Sequence, residues 1–188
     1  DKESLLVLLS TRIIDPHKAD DISDFTAERM ADYYNAMESA RTNKNIFLKW
    51  CKAMGYKGVF FHAYDDKNVP IYHTNVILSV GEKFVVVCLD AITDEGEKRM
   101  LISSFKKTNK DIIAITLNQI FQFCGNILQV SAKDGKRKLI MSRNAFNGSS
   151  PDQLQKLKTN GEIVVVDIPT IEEVGGGSAR CMLAELFI

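Results

Sequence analysis

Several features that mark specialised protein classes are missing from this sequence of 188 residues. Its 24 basic and 24 acidic side chains cancel, whereas a broad nucleic-acid surface needs an excess of Lys and Arg. No apolar run approaches the roughly 20 residues that cross a bilayer. The four cysteines (Cys51, Cys88, Cys124 and Cys181) form no CxxC pair, which argues against a disulfide framework or a zinc site. We therefore expect a cytoplasmic protein without nucleic-acid or membrane partners.

What is present is the composition of an ordinary globular protein. Hydrophobic residues make up 45% and charged residues 26% of the chain, which excludes disorder, collagen and coiled coil as its main state. The length suits one domain over residues 1–188. Function therefore has to be sought in motifs.

Strand and helix patterns alternate along the chain, which predicts a mixed α/β fold. The apolar run Ser4–Leu9 and the valine-rich run Lys83–Leu89 indicate buried strands. Gly81-Glu82 predicts a hairpin between Lys83–Leu89 and a strand over Tyr72–Val80. Further strands are predicted at 58–61, 111–117, 127–130, 138–141, 162–167 and from Cys181, and helices at 20–37, 46–54, 94–107 and 151–158.

The segment Gly175-Gly176-Gly177-Ser178-Ala179-Arg180-Cys181 carries the most information about chemistry. Glycine allows positive φ and lets another molecule approach the main chain closely. The three glycines can therefore present the Cys181 thiol, at the start of a strand, to a substrate. The alternative is a glycine turn before a buried cysteine, because cysteine usually behaves as a small hydrophobe.

His73 lies in Pro70-Ile71-Tyr72-His73-Thr74-Asn75-Val76, at a predicted strand end. An imidazole that meets a thiol can assist ionisation of the thiol and shuttle protons. A lone histidine is more often structural, and the spacing between His73 and Cys181 leaves both interpretations open.

These motifs resemble the amidinotransferase or guanidino-group-modifying superfamily. The same resemblance is carried by Gly81-Glu82-Lys83-Phe84, Cys88-Leu89-Asp90-Ala91, Gly125-Asn126 and Met141-Ser142. The branch most similar is that of the citrulline-utilisation hydrolases, and the resemblance covers about residues 35–188. It implies a pseudo-symmetric (pentein-like) α/β propeller, of which this chain supplies about three of five modules. Residues 10–34 fit no part of the pattern, so we interpret them as a divergent or inserted segment.

The resemblance also implies that Cys181 is a covalent nucleophile and that His73 is its general acid/base. Thiolate attack on an amidine or ureido carbon divides one hard step into two easier ones, and no metal or organic cofactor is required. The predicted partner is a small ureido or guanidino compound. Its predicted binding residues are Asn75, Asp90, Asn126, Gly176 and Gly177, although Asp90 and Asn126 could instead be turn residues.

Asn75 departs from the superfamily, because many members carry Asp two residues after the histidine. A carboxylate pairs with a cationic guanidinium about twice as strongly as a neutral amide does. We therefore expect a citrulline-like ureido group to be preferred over arginine.

The superfamily's acidic active-site residues come from the first half of the fold, for which Asp1 or Glu3 are weak stand-ins here. A second hypothesis is therefore a non-catalytic binding or assembly subunit built on the same modules. Under either hypothesis, the expected protein partner is another copy of the chain, in a homo-oligomer, or a missing N-terminal half. His62 and Arg180 are expected to be structural.

Overall fold

The computed structural model describes residues 27–30, 33–39, 42–132 and 134–183. They form three three-stranded sheets of the same construction. In each sheet an antiparallel hairpin is followed by a third strand that runs parallel to the second. The strands are β1 Ala27–Met30, β2 Tyr33–Met37 and β3 Lys57–Phe61; β4 Leu78–Val80, β5 Phe84–Val87 and β6 Asp111–Ala114; and β7 Leu128–Ser131, β8 Arg137–Ser142 and β9 Glu162–Val166.

Helices make the crossovers that parallel pairing requires. They lie between the second and third strands of every sheet, so each sheet with its crossover is one ββαβ module. The crossover helices are α1 Lys44–Met54, α3 Glu95–Lys107, α5 Arg143–Gly148 and α6 Pro151–Lys158. Three further helices, α2 Thr74–Ile77, α4 Leu117–Phe121 and α7 Pro169–Gly175, lie outside the crossovers. The mixed α/β class and the repeating module predicted from the sequence are confirmed.

Local cap signals set the helix ends that the sequence predicted. The side chain of Asn43 accepts the backbone N–H groups of the first turn of α1, and Gly55 closes that helix at φ 76°, where glycine carries no Cβ penalty. At α6, Ser150 and Gln153 form a reciprocal capping box ahead of Pro151.

Large aromatic side chains fill the core beside the first sheet. Tyr34, Phe47, Trp50, Cys51 and Phe60 are buried together, and the rings of Tyr34 and Trp50 meet edge to face with centroids 4.8 Å apart. In the second sheet all four residues of β5 are buried, as the valine run predicted. A strand that is buried on both faces has a continuous apolar sequence rather than an alternating one.

Four sequence predictions are corrected. The predicted helix over 20–37 is two strands in its described part, and the predicted strand over Tyr72–Val80 begins with the helical turn α2. The strand predicted over 111–117 ends at Ala114, because Thr116 caps α4. Cys181 lies in a 3₁₀ turn, Ala179–Met182, because its N–H bonds to the Ser178 carbonyl. In each case, hydrogen bonds override strand or helix propensity.

By their internal contacts the described residues group into two compact units. The first comprises the described residues up to Thr74 with 92–104, and the second comprises 75–91 and 105–183. Ser4–Leu9 and residues 184–188 lie outside the described residues. Every described helix is too short or too polar to cross a bilayer.

Candidate active site

Two glycines precede Cys181 at positions where a side chain would be strained or would crowd the thiol. Helix α7 ends at Gly176 with φ 66°, a left-handed conformation that favours glycine. A Cβ on Gly177 would lie 3.3 Å from the Cβ of Cys181, so a side chain there would crowd the thiol. Cys181 is exposed, and the alternative of a buried cysteine after a glycine turn is therefore excluded.

Two asparagine amides face the sulfur of Cys181. Asn126 Nδ2 lies 3.2 Å from Sγ and Asn75 Nδ2 lies 3.7 Å from it. Both asparagines are at most 3% exposed, so the amide donors approach from the protein side, whereas Cys181 is an exposed residue. An N–H donor preorganised in this way stabilises negative charge on the atom it faces.

Asn126 is held in place at both ends of its amide. Its Oδ1 accepts the backbone N–H of Arg180 at 2.9 Å, and its Nδ2 also lies 3.2 Å from the carbonyl oxygen of Asn75. The preceding Gly125 passes so close to Val76 that an added Cβ would lie 2.5 Å from the Val76 carbonyl oxygen. Only glycine therefore fits at position 125, where the backbone before Asn126 passes the Val76 carbonyl group.

Asn75 leaves one acceptor without a partner. Its Oδ1 is buried and accepts no hydrogen bond from the residues that the structure describes. Buried polar atoms are nearly always paired, so each exception requires an explanation. This oxygen belongs to the same amide group whose nitrogen faces Cys181, and a ligand N–H is one donor that could satisfy it.

The other three cysteines differ from Cys181 in their burial. Cys51, Cys88 and Cys124 are all buried. Burial raises the pKa of Cys51 to about 12 and also raises the pKa of Cys88 and of Cys124. Since the thiolate is the nucleophile, these three thiols are suited to packing rather than to catalysis.

The remaining predicted site residues are His73, Asp90 and Gly176. His73 belongs to the first unit, directly before α2, and its ring contacts that of Tyr72 with centroids 4.8 Å apart. Asp90 is exposed in the 3₁₀ turn Leu89–Ala91. The structure thus brings together Asn75, Asn126 and Cys181 with Gly177, whereas the roles of His73, Asp90 and Gly176 stay predictions.

Two supporting residues were missed from the sequence. Ser178 Oγ donates to Glu172 Oε1 at 2.5 Å, and both side chains are buried. The Ser178 carbonyl in turn accepts the N–H of Cys181 at 3.0 Å. The signal was present in the acidic pair before the glycines, but sequence spacing does not show that Glu172 turns inward.

Arg180 and His62 have the kinds of contact expected of structural residues. The buried guanidinium of Arg180 lies 3.5 Å from the Ile127 carbonyl oxygen. In the first unit, the two ring nitrogens of His62 contact Glu97 at 2.8 Å and Glu38 at 2.5 Å. Burial alone would lower the pKa of His62, but the hydrogen bonds and charges of Glu97 and Glu38 outweigh it and raise that pKa.

Comparison with known proteins gives the family. A family model described as N,N dimethylarginine dimethylhydrolase, eukaryotic, matches residues 28–188. The chain belongs to this family. The superfamily predicted from the glycine–cysteine and histidine motifs is therefore confirmed. A search of curated proteins gave no match.

Solved structures show the same fold at low sequence identity. The N-terminal domain of ArgZ, bound covalently to a reaction intermediate, is 18% identical, with a TM-score of 0.62 over 86% of this chain and 54% of that one. A cysteine-to-serine mutant of DDAH from Pseudomonas aeruginosa, complexed with citrulline, is 16% identical, with a TM-score of 0.57 over 87% and 57%.

SxtG, an amidinotransferase of Microseira wollei from the saxitoxin biosynthetic pathway, is 13% identical, with a TM-score of 0.58 over 87% of this chain and 46% of that one. The chain spans 24% of ArgZ itself, a cyanobacterial arginine dihydrolase. It therefore corresponds to a part of each of these proteins.

Proposed function

We propose that this chain carries the nucleophile of a cysteine hydrolase that cleaves a C–N bond in a ureido or amidine small molecule. The observation that supports this most directly is the Cys181 sulfur, which is exposed and faces the Asn126 and Asn75 amides. The buried state of the other three thiols makes Cys181 the accessible nucleophile. Membership of the dimethylarginine hydrolase family supports the same chemistry.

In the proposed reaction Cys181 Sγ attacks the central carbon of the substrate and forms an S–C bond. The C–N bond to the leaving amine then breaks, and His73 donates the proton that this amine takes away. Water next attacks the covalent intermediate while His73 accepts a proton from it, and the S–C bond breaks to release the product. The Asn126 amide stabilises the sulfur while it carries negative charge.

The proposed substrate preference rests on Asn75. A neutral ureido group needs hydrogen-bond partners but no counter-charge, and the buried Oδ1 of Asn75 is an acceptor that still lacks one. An amide cannot offer a cationic guanidinium the charge-assisted pairing that a carboxylate gives. We therefore infer that citrulline-like compounds are preferred over arginine.

Covalent labelling tests the nucleophile. We expect 2-chloroacetamidine to alkylate Cys181 selectively, as located by peptide mass spectrometry, and His73→Ala to abolish this selectivity. His62→Ala is the matched control, because His62 is held by Glu38 and Glu97; it should leave the labelling unchanged. If Cys181 reacted no faster than the buried Cys51, the chain would instead be a non-catalytic binding or assembly subunit.

Turnover tests the substrate. We expect the chain to release product faster from citrulline than from arginine, and Asn75→Asp to shift the ratio of the two kcat/KM values toward arginine by about tenfold or more. Efficient arginine hydrolysis by the unmodified chain would contradict the role given to Asn75, while leaving that of Cys181 intact.

A further inference from the structure

The second unit contains a cleft whose lining includes Glu172, the partner of Ser178, but neither Cys181 nor the two asparagines that face its sulfur. It has a volume of about 530 Å³ and lies between α4, the first turn of α5 and the segment that joins β9 to α7. Phe121 and Phe123 line one part of it, and Asp167, Glu172 and Glu173 contribute carboxylates. The cleft is thus both aromatic and acidic.

The charges of the cleft do not balance. Its three carboxylates face one basic side chain, Arg143, and that guanidinium is already bonded to Asp167 through Nε at 3.0 Å and Nη2 at 3.4 Å. The carboxylates of Glu172 and Glu173 form no ion pair with any described residue. The cleft lining therefore has more acidic than basic side chains, which favours a cation as its occupant.

Glu172 gives the more specific indication. Its side chain lines the cleft although the residue is only 9% exposed. Oε1 accepts the hydroxyl of Ser178, whereas no hydrogen bond or ion pair within the described residues engages Oε2. Oε2 is not among the buried atoms that lack a partner, and a ligand N–H donor in the cleft can reach it.

The aromatic side chains define the other half of the ligand. Phe121 is 56% exposed, and Phe123 is held at φ 60°, a conformation that non-glycine residues adopt only where the surrounding structure enforces it. An aromatic face attracts an organic cation and also contacts its hydrocarbon chain.

We propose that this cleft binds a small organic cation, a guanidinium or primary ammonium group on a short apolar chain. The cationic group pairs with Glu172 and Glu173, and the apolar chain packs on Phe121. This site is separate from the sulfur of Cys181, so the proposal does not depend on the proposed hydrolase activity.

Calorimetric titration of the full chain with ethylguanidinium tests the proposal, with ethylurea as the neutral probe of similar shape. We expect ethylguanidinium to bind and ethylurea to bind at least tenfold more weakly. Cys181→Ser should not change the affinity, which separates this cleft from the candidate active site.

Variants locate the binding. Glu172→Gln keeps an acceptor for Ser178 but removes the buried charge, and should weaken binding by about ten- to a hundredfold. Glu173→Gln, at an exposed carboxylate, should weaken it about threefold, and Phe121→Ala about two- to fivefold. Asp111→Asn and Met100→Ala, an exposed carboxylate and an exposed apolar side chain outside the cleft lining, are the matched controls and should have no effect.

Two results would overturn the proposal. One is equal affinity for ethylurea and ethylguanidinium, which would show that the charge of the cleft selects nothing. The other is unchanged ethylguanidinium affinity in all three lining variants, which would place the bound cation elsewhere on the chain. Loss of binding in Asn75→Asp or Cys181→Ser would have the same consequence.

Discussion

Cys124 and Cys181 belong to the same unit, yet Cys124 is buried whereas Cys181 is exposed. Cys124 Sγ donates to the carbonyl oxygen of Ala145 at 3.4 Å and accepts the Ser149 hydroxyl at 3.7 Å, and burial raises the pKa of this thiol. Cys181 Sγ instead faces the amide donors of Asn126 and Asn75, which favour negative charge on sulfur. Burial therefore separates the two cysteines more clearly than the polarity of their neighbours does, and it suits Cys124 to packing.

The largest expected effect comes from exchanging sulfur for oxygen in each environment. Cys181→Ser should lower turnover of a ureido substrate by about 10³-fold or more, because a serine hydroxyl at this position lacks the nucleophilicity of a thiolate. Cys124→Ser should retain most of the activity. Product formation by both variants checks this, and an equal loss from Cys124→Ser would mean that the two environments do not differ functionally.

The amide donors can be tested while the backbone contact is kept. Asn126→Asp retains an acceptor for the Arg180 N–H but replaces the donor that faces Cys181 with negative charge. We expect the alkylation rate of Cys181 to fall about ten- to a hundredfold, the range for losing a charge-assisted hydrogen bond. Asn118→Asp, at an exposed position of α4, makes the same chemical change and should leave that rate unaltered.

Gly125 lies between Cys124 and Asn126 and can disturb both environments. In Gly125→Ala the new methyl group would lie 2.5 Å from the Val76 carbonyl oxygen, so we expect the free energy of unfolding to fall by about 1–3 kcal/mol. Gly175→Ala is the control, since its nearest contact would be at 3.9 Å. Urea unfolding measures both, and equal stabilities would show that this close approach is unimportant.

Alkaline stability extends the comparison to Cys51, the most strongly shifted thiol. Burial raises the pKa of Cys51 from 9.0 to about 12, so above about pH 9 the unfolded chain releases this proton while the folded chain retains it. Its contribution to stability is complete below pH 9 and is lost as the pH rises toward 12, by about 1.4 kcal/mol per pH unit.

Urea unfolding at pH 8, 9 and 10 checks the contribution of Cys51. Cys51→Val removes the ionisable group and should flatten the decline in unfolding free energy with pH by about 1 kcal/mol between pH 9 and 10. Parallel declines in the two proteins would show that ionisation of Cys51 is not linked to unfolding.

The sequence predicted best where a signal is local. Ser150-Pro151, Gly55 and the Asp134-Gly135 turn each set a boundary through contacts a few residues apart, and the structure confirms the helices predicted at 46–54 and 151–158 and the strands predicted at 127–130 and 138–141. The valine run of β5 was predictable because burial on both faces needs a continuous apolar stretch.

The site was predictable only in its residue types. Asn75, Asn126 and Cys181 were selected by resemblance, but their meeting depends on contacts between distant segments, such as Gly125 with Val76 and Asn126 with Arg180. The inward turn of Glu172 and the helical turn at Thr74, whose Oγ1 accepts the Met37 N–H, arise from similar long-range contacts. No pattern of spacing in one sequence reveals them.

Each of the three described sheets takes all its strands from one contiguous stretch of chain: 27–61, 78–114 and 128–166. Hairpins close within microseconds, whereas a parallel strand must wait for its crossover helix. Each ββαβ module should therefore assemble in the order in which its strands follow along the chain. We expect amide hydrogen exchange to show that the three modules open separately. The slowest exchange is expected in the central strands β2, β5 and β8.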